Sequence, residues 1–257
     1  MKKFTWLIMI ATIMCSCAHV YYAPNTANAP LFSEKGQTRI NALYSAGGYS
    51  DFTGGEIQVA HAVSKNVGVM INGFSVGETD EVSDWNWNGT THTEKGSGSY
   101  IEFAGGLFKP FDPNNQWIGE VYGGFGLGSS KHDYGYSDNS KVNLTKLFIQ
   151  PSIGFKSNYF EAAFVPKISF INWHVKENHI SNSNNDYPKA DVEAIRDKSG
   201  FMSFEPALIL RGGGKDFKIQ LGLSLSTGNL SSSSSEELTE QMTGSIGISF
   251  NISGKKK

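Results

Sequence analysis

Carboxylates, imidazoles and tryptophans are the side chains of this sequence that could hold a ligand or move a proton, and they gather in few places. The stretch Asp80-Glu81-Val82-Ser83-Asp84-Trp85-Asn86-Trp87-Asn88 combines carboxylates with two indoles. Carboxylates so close together can chelate a hard cation, and exposed indoles can stack on a sugar ring. Asp80, Asp84, Trp85 and Trp87 are therefore the candidate contacts for a loop ligand. The plainer reading is a solvated loop whose tryptophans fold back onto the body of the protein. A second grouping, His132-Asp133 with His174 and nearby serines, holds the residue types of a hydrolytic site. Serine is cheap in so serine-rich a chain, and the spacing is not diagnostic. The six histidines, at 19, 61, 92, 132, 174 and 179, show no metal-ligand spacing. No phosphate loop, helix-turn-helix or Cys/His cluster occurs. The expectation is no catalytic residue, no metal and no cofactor.

Composition narrows what could position such residues. Charged residues are 18% of the chain, below the usual ~25%. The 257 residues include 29 glycines, and 12% are aromatic. A hydrophobic share of 39% and a mean hydropathy of -0.28 exclude a polytopic helical membrane protein. A net charge of -2 leaves no electrostatic footprint for nucleic acid. Few charges, many glycines, many aromatics and no long apolar run describe an all-β chain.

The N-terminus reads as an address. Lys2 and Lys3 precede the apolar run Phe4 to Met14, which is shorter than the ~20 residues a spanning helix needs. A charged start and an apolar middle are the marks of a secretory signal. The run ends in Met14-Cys15-Ser16-Cys17. With small Ser16 before Cys17 and Met14 three places before it, the segment resembles the lipobox of a bacterial lipoprotein, cleaved before Cys17 and lipidated there. Ala27-Asn28-Ala29 offers an ordinary signal-peptidase site as the alternative. Both cysteines of the chain lie in this region, so no disulfide is expected. Residues 18–36 carry two prolines and no periodicity, and read as an extended tether. Tyr21, Tyr22 and Phe32 suggest that it packs against something.

From Gln37 onward the hydrophobic period is two. It predicts about ten strands, at 37–46, 55–63, 67–76, 99–109, 117–128, 142–156, 159–175, 201–211, 216–227 and 241–253. Short connections at 64–66, 110–116, 157–158 and 212–215 alternate with long polar ones at 77–98, 129–141, 176–200 and 228–240. An up-and-down sheet with one fast-turning end and one loop-rich end produces this alternation. Leu147, Ile149 and Ile153 share a face against Lys146, Gln150 and Ser152, and the following strands repeat the split. Inward-pointing apolar faces would make a soluble barrel. Outward-pointing ones would make a membrane barrel, with the charges inside. The polar faces carry Arg39, Glu56, Glu102, Glu120, Lys146, Lys167, Glu205 and Arg211, both signs together, and many glycines. That mixture suits a cramped interior of paired charges better than a solvated surface. Aromatics near the strand ends suggest two girdles, Trp117, Phe155, Tyr159, Phe160, Phe217 and Phe250 at the short-turn end and Tyr44, Phe52, Tyr100, Phe170, Trp173 and Phe201 at the other.

Gly247-Ile248-Ser249-Phe250-Asn251-Ile252 resembles in part the terminal signal read by the barrel-insertion machinery. Tyr21-Tyr22-Ala23-Pro24-Asn25 and Pro30-Leu31-Phe32-Ser33-Glu34-Lys35-Gly36 look like the tether of lipidated Bacteroidota proteins. Together the chain resembles small outer-membrane β-barrel lipoproteins of Gram-negative bacteria. The resemblance implies a single up-and-down antiparallel transmembrane β-barrel of about ten strands. Its parts are a signal peptide (1–16), a tether (17–36), the barrel (37–253) and a basic tail (254–257). It implies outer-membrane lipid and the insertion machinery as partners, and short turns facing the periplasm. No acidic residue follows Cys17 directly, which in such proteins points to the periplasmic leaflet. The expected role is structural or interactive, in a barrel too filled for a wide pore and without enzymatic activity. The alternatives are a periplasmic lipoprotein whose soluble barrel binds an apolar ligand, and an outer-membrane enzyme with rim residues.

Overall fold

A computed structural model describes residues 19–48, 50–83, 91–181, 186–227 and 238–252. The strands are β1 (Thr38–Gly47), β2 (Thr53–Ala62), β3 (Val67–Ser83), β4 (Thr91–Pro110), β5 (Trp117–Asp133), β6 (Asn139–Lys156), β7 (Phe160–His179), β8 (Gly200–Gly213), β9 (Phe217–Leu225) and β10 (Met242–Ile252). Among the described residues one helix, α1 (Asp186–Asp197), lies between β7 and β8. Each strand pairs antiparallel with its sequence neighbours, and β10 returns to β1 with Ile252 opposite Thr38, closing the barrel. Where neighbouring strands pair all the way round, closure removes the sheet edge, which is how a β-protein satisfies its backbone without water.

Period-two alternation sets the two faces. Leu147 is 63% exposed on the outside, while Lys146 beside it is 1% exposed and points inward. Phe164, Ile168 and Phe170 of β7 face out against Glu161, Lys167 and Ser169. On β9, Phe217, Ile219, Leu221, Leu223 and Leu225 face out against Lys218, Gln220 and Ser224. The barrel is therefore apolar outside and charged inside, the reverse of what a soluble barrel with an apolar ligand cavity requires.

The loop-rich end departs from expectation. Residues 77–83 and 91–98, expected as parts of a loop, are strand. β3 and β4 continue as a paired ribbon to Ser83 opposite Thr91, and Asp80, placed in a loop by its polarity, is an exposed strand residue. The same extension carries β5 to Asp133 and β7 to His179, so Lys176 also stands on a strand. Both faces of these extensions meet water or polar groups, so no apolar period marks them. Thr, Ser and Val still suit a ladder there. α1 was equally hidden: it is a short amphipathic helix of 12 residues, with Val192 and Ile195 fully buried. Asp84, Trp85 and Trp87 lie outside the described residues.

The girdle at the short-turn end is present, with Trp117, Tyr159, Phe160, Phe217 and Phe250 exposed. Of the six aromatics assigned to the loop-rich end, Tyr44 and Phe170 face out. Phe52, Tyr100, Trp173 and Phe201 are buried and point into the barrel. Their inward neighbour is the N-terminal segment.

Candidate functional site

Residues 19–36 do not lie beside the barrel. They run through it, entering at the loop-rich end and leaving at the short-turn end, where Gly36 N donates to Ala62 O and β1 begins. Residues 21–32 are all buried. An extended chain inside a barrel carries polar groups with no ladder to join, so each needs a partner. The wall supplies several of them. Tyr100 OH donates to Ala23 O at 2.9 Å, Gln58 Nε2 to Thr26 O at 2.7 Å, Gln150 Nε2 to Asn28 O at 2.8 Å and Lys156 Nζ to Leu31 O at 3.0 Å. Pro24 and Pro30 have no N–H to satisfy, which suits them to this place.

The interior charges fall into two groups. At mid-height, Lys146 Nζ lies 3.0 Å from Glu102 and 3.2 Å from Glu205, and Lys167 Nζ lies 3.2 Å from Glu102. The segment enters this group directly. Lys146 Nζ donates to Tyr22 OH at 2.6 Å, and Tyr22 OH donates to Glu205 at 2.5 Å. Asn25 Nδ2 donates to Glu102 at 2.9 Å, and its Oδ1 accepts from Lys167 at 3.1 Å. Nearer the short turns, Glu161 accepts from both Arg39 and Arg211 and lies 3.5 Å from Lys218 Nζ.

Glu56 and Glu120 have no cation within ion-pair distance among the described residues. Glu56 instead accepts from Thr26 N at 3.1 Å, Thr26 Oγ1 at 2.9 Å, Ser45 Oγ at 2.5 Å and Gln58 Nε2 at 3.2 Å. Glu120 accepts from Phe32 N and Ser152 Oγ, both at 3.2 Å. All eight interior charges read from the sequence thus face the lumen. The partner that six of them use, the segment itself, could not be seen from strand patterning.

Apolar contacts hold the segment between these polar levels. Tyr21 and Tyr22 pack with Phe52, Tyr100, Trp173 and Phe201. Ala27, Ala29 and Leu31 pack with Ile118, Val165 and Ile209, and Phe32 with Met70 and Phe108. Wall glycines make the room: a Cβ on Gly222 would stand 2.7 Å from Thr26 Cγ2, and one on Gly154 would collide with Leu31. The cavity beside Tyr21 and Tyr22 is only about 30 Å³, space for one or two waters. Leu31 has φ +53°, a left-handed conformation uncommon for a bulky residue, where the segment bends toward Glu120 and the exit.

At the loop-rich mouth, His19 holds Asp191 of α1 at 3.0 Å and Glu94 of β4 at 3.1 Å. Burial alone would lower its pKa. The two carboxylates outweigh that and raise it to about 9, so His19 is a cation at neutral pH. His132 is buried on β5 with Ser130 Oγ 2.8 Å from its Nε2. The Tyr21 ring covers it at 4.4 Å between centroids, and Glu78 is 4.0 Å from Nδ1, too far for a hydrogen bond. His174 is exposed on the outer side of β7. His132, Asp133 and His174 are therefore not brought together as a hydrolytic site. Among the described residues no cluster of three or more His, Cys, Asp or Glu could hold a metal ion.

No family model matches the chain, and no curated protein matches it. Among solved structures, the NanC porin in a rhombohedral crystal form gives a TM-score of 0.33 at 13% identity, covering 83% of this chain and 98% of that one. CdiB from Acinetobacter baumannii gives 0.24 at 8% identity, covering 85% and 60%. Likenesses at these scores carry no argument about what the chain does.

Proposed function

We propose that this chain is a lipid-anchored β-barrel of the bacterial outer membrane whose lumen is closed by its own N-terminal segment. Its role is structural or interactive, without catalysis and without porin-like diffusion. The observation that carries this reading is the pairing of an apolar outer wall with an interior whose carboxylates and lysines are bonded to residues 22–32. Lipid can solvate such an outside, and water cannot. Outward rows of large apolar side chains, rich in Leu, Ile and Phe, along β4 to β10 are far beyond the few hundred Å² of exposed apolar patch a soluble monomer tolerates.

The segment also bears on where the signal ends. Cleavage at Ala27-Asn28-Ala29 would remove Tyr22, Asn25 and Thr26, and with them the segment's hydrogen bonds to Glu56, Glu102 and Glu205. Cleavage before Cys17 keeps them all. Outer-membrane placement is tested by fractionating a Cys17→Ala variant. It remains with outer membranes and is released only by detergent, because the barrel itself is the anchor. A freely soluble periplasmic variant would overturn the reading.

A further inference from the structure

An even-stranded barrel ordinarily has both chain ends on one side. Here β10 ends at Ile252 opposite Thr38, at the short-turn end. The segment takes the other terminus across. His19 is bonded to Glu94 and Asp191, and Tyr21 N donates to Leu238 O between β9 and β10, all at the loop-rich end. Cys17 is two residues from His19, a reach of at most about 7 Å. The ten residues of β1 rise about 33 Å, or roughly 25 Å along a tilted barrel axis. Cys17 cannot return to the short-turn end while residues 19–36 occupy the lumen.

We propose that the acyl chains on Cys17 anchor in the leaflet at the loop-rich end, the outward-facing leaflet of the outer membrane, opposite to the leaflet beside the C-terminus. This rests on the lipidation and membrane readings above. The barrel wall has the shape the anchor needs. β3 to β7 have 17 to 20 residues, whereas β9, β10, β1 and β2 have 9 to 11. Thr53, the first residue of β2, pairs with Gly77, which pairs with Ser97. Glu94, the partner of His19, stands three residues beyond that level. The chain therefore emerges above the low side of the wall, over which a lipid can descend to the leaflet. A lumen this full admits no acylated end drawn through after closure. The strands must close around the segment.

The test places one epitope between Cys17 and Ala18, with control epitopes in the serine run 231–235 and after Lys257, each in an otherwise full chain. Antibody is applied to intact cells and to cells with permeabilised outer membranes, and folding is checked by heat-modifiable gel migration. Mass spectrometry of the N-terminal peptide reports acylation separately. The expected result is acylated Cys17, with the first two epitopes bound on intact cells and the third bound only after permeabilisation. If the first epitope behaves like the third, the inference is overturned. An unacylated Cys17 overturns it through the lipid reading alone. Inverted controls overturn it through the barrel's orientation. Should the insertion misfold, a His19→Cys variant probed with an impermeant maleimide serves instead, since the mature chain has no other free thiol once Cys17 is acylated. Labelling on intact cells supports the inference, and labelling only after permeabilisation contradicts it.

Discussion

The two charge groups in the lumen solve the same problem with different materials. Around Glu161 the wall is self-sufficient in charge pairing: Arg39, Arg211 and Lys218 come from β1, β8 and β9, and Arg211 Nε donates to Gln220 at 2.7 Å, while Arg39 Nε, Arg211 Nη2 and Gln220 Nε2 are buried without a hydrogen bond among the described residues. At mid-height the wall is incomplete. Lys146, Lys167, Glu102 and Glu205 need Tyr22 and Asn25, and Glu56 needs Thr26, to fill their remaining bonds. Buried ion pairs do not stabilise merely by being present, but losing one member leaves a charge without a partner. The difference teaches which part of the barrel can close alone and which part must close on the segment.

Substitution of Glu161 tests the self-sufficient group and has the largest expected effect. Glu161→Ala leaves two guanidinium groups and an ammonium facing one another, a loss of about 5 kcal/mol read as a lower unfolding midpoint in detergent. Lys167→Ala in the mid-height group costs about 3 kcal/mol, while Lys176→Ala on the exposed part of β7 leaves the midpoint unchanged. Equal midpoints for Lys167→Ala and Lys176→Ala would place Lys167 in contact with water. Thr26→Val removes a hydroxyl donor from Glu56 while keeping its shape, and costs about 1–2 kcal/mol.

Much of this architecture is readable in the strands and little of it in the segment. Alternation over β6 to β10 separates Lys146 from Leu147 and Lys167 from Ile168, because a lipid-facing wall demands an apolar residue at every second position. The same parity assigns Tyr100 and Trp173 to the inside, against a girdle placed by nearness to strand ends. A girdle needs the outward face as well as the right height. Residues 21–32 have no period because their neighbours surround them on all sides. Their fitness for the lumen lies in small alanines, two prolines without N–H groups and three aromatics, a composition shared with any tether. The ribbon of β3 and β4 beyond Gly77 lacks a buried face, so nothing in its pattern distinguishes it from a loop.

The smallest effect concerns the latch at the mouth. His19 carries a pKa raised to about 9 from an ordinary 6.5, so its contribution is fully present below about pH 6.5 and is lost as pH rises through about 9. Partial exposure limits it to about 1 kcal/mol. The unfolding midpoint of the native chain falls across this window, and in His19→Gln that fall is reduced.

The claim on which the rest depends is that residues 19–36 occupy the lumen. Ala27 is 2% exposed at the centre of the segment, and Ala27→Cys would be the only free thiol of the acylated mature chain. The measurement is its rate of reaction with a small water-soluble maleimide in detergent-solubilised folded barrel and after heat unfolding. A lumen closed by the segment leaves the thiol unreactive in the folded barrel and fully reactive once unfolded. Equal rates in the two states would put the segment outside the barrel and contradict the account.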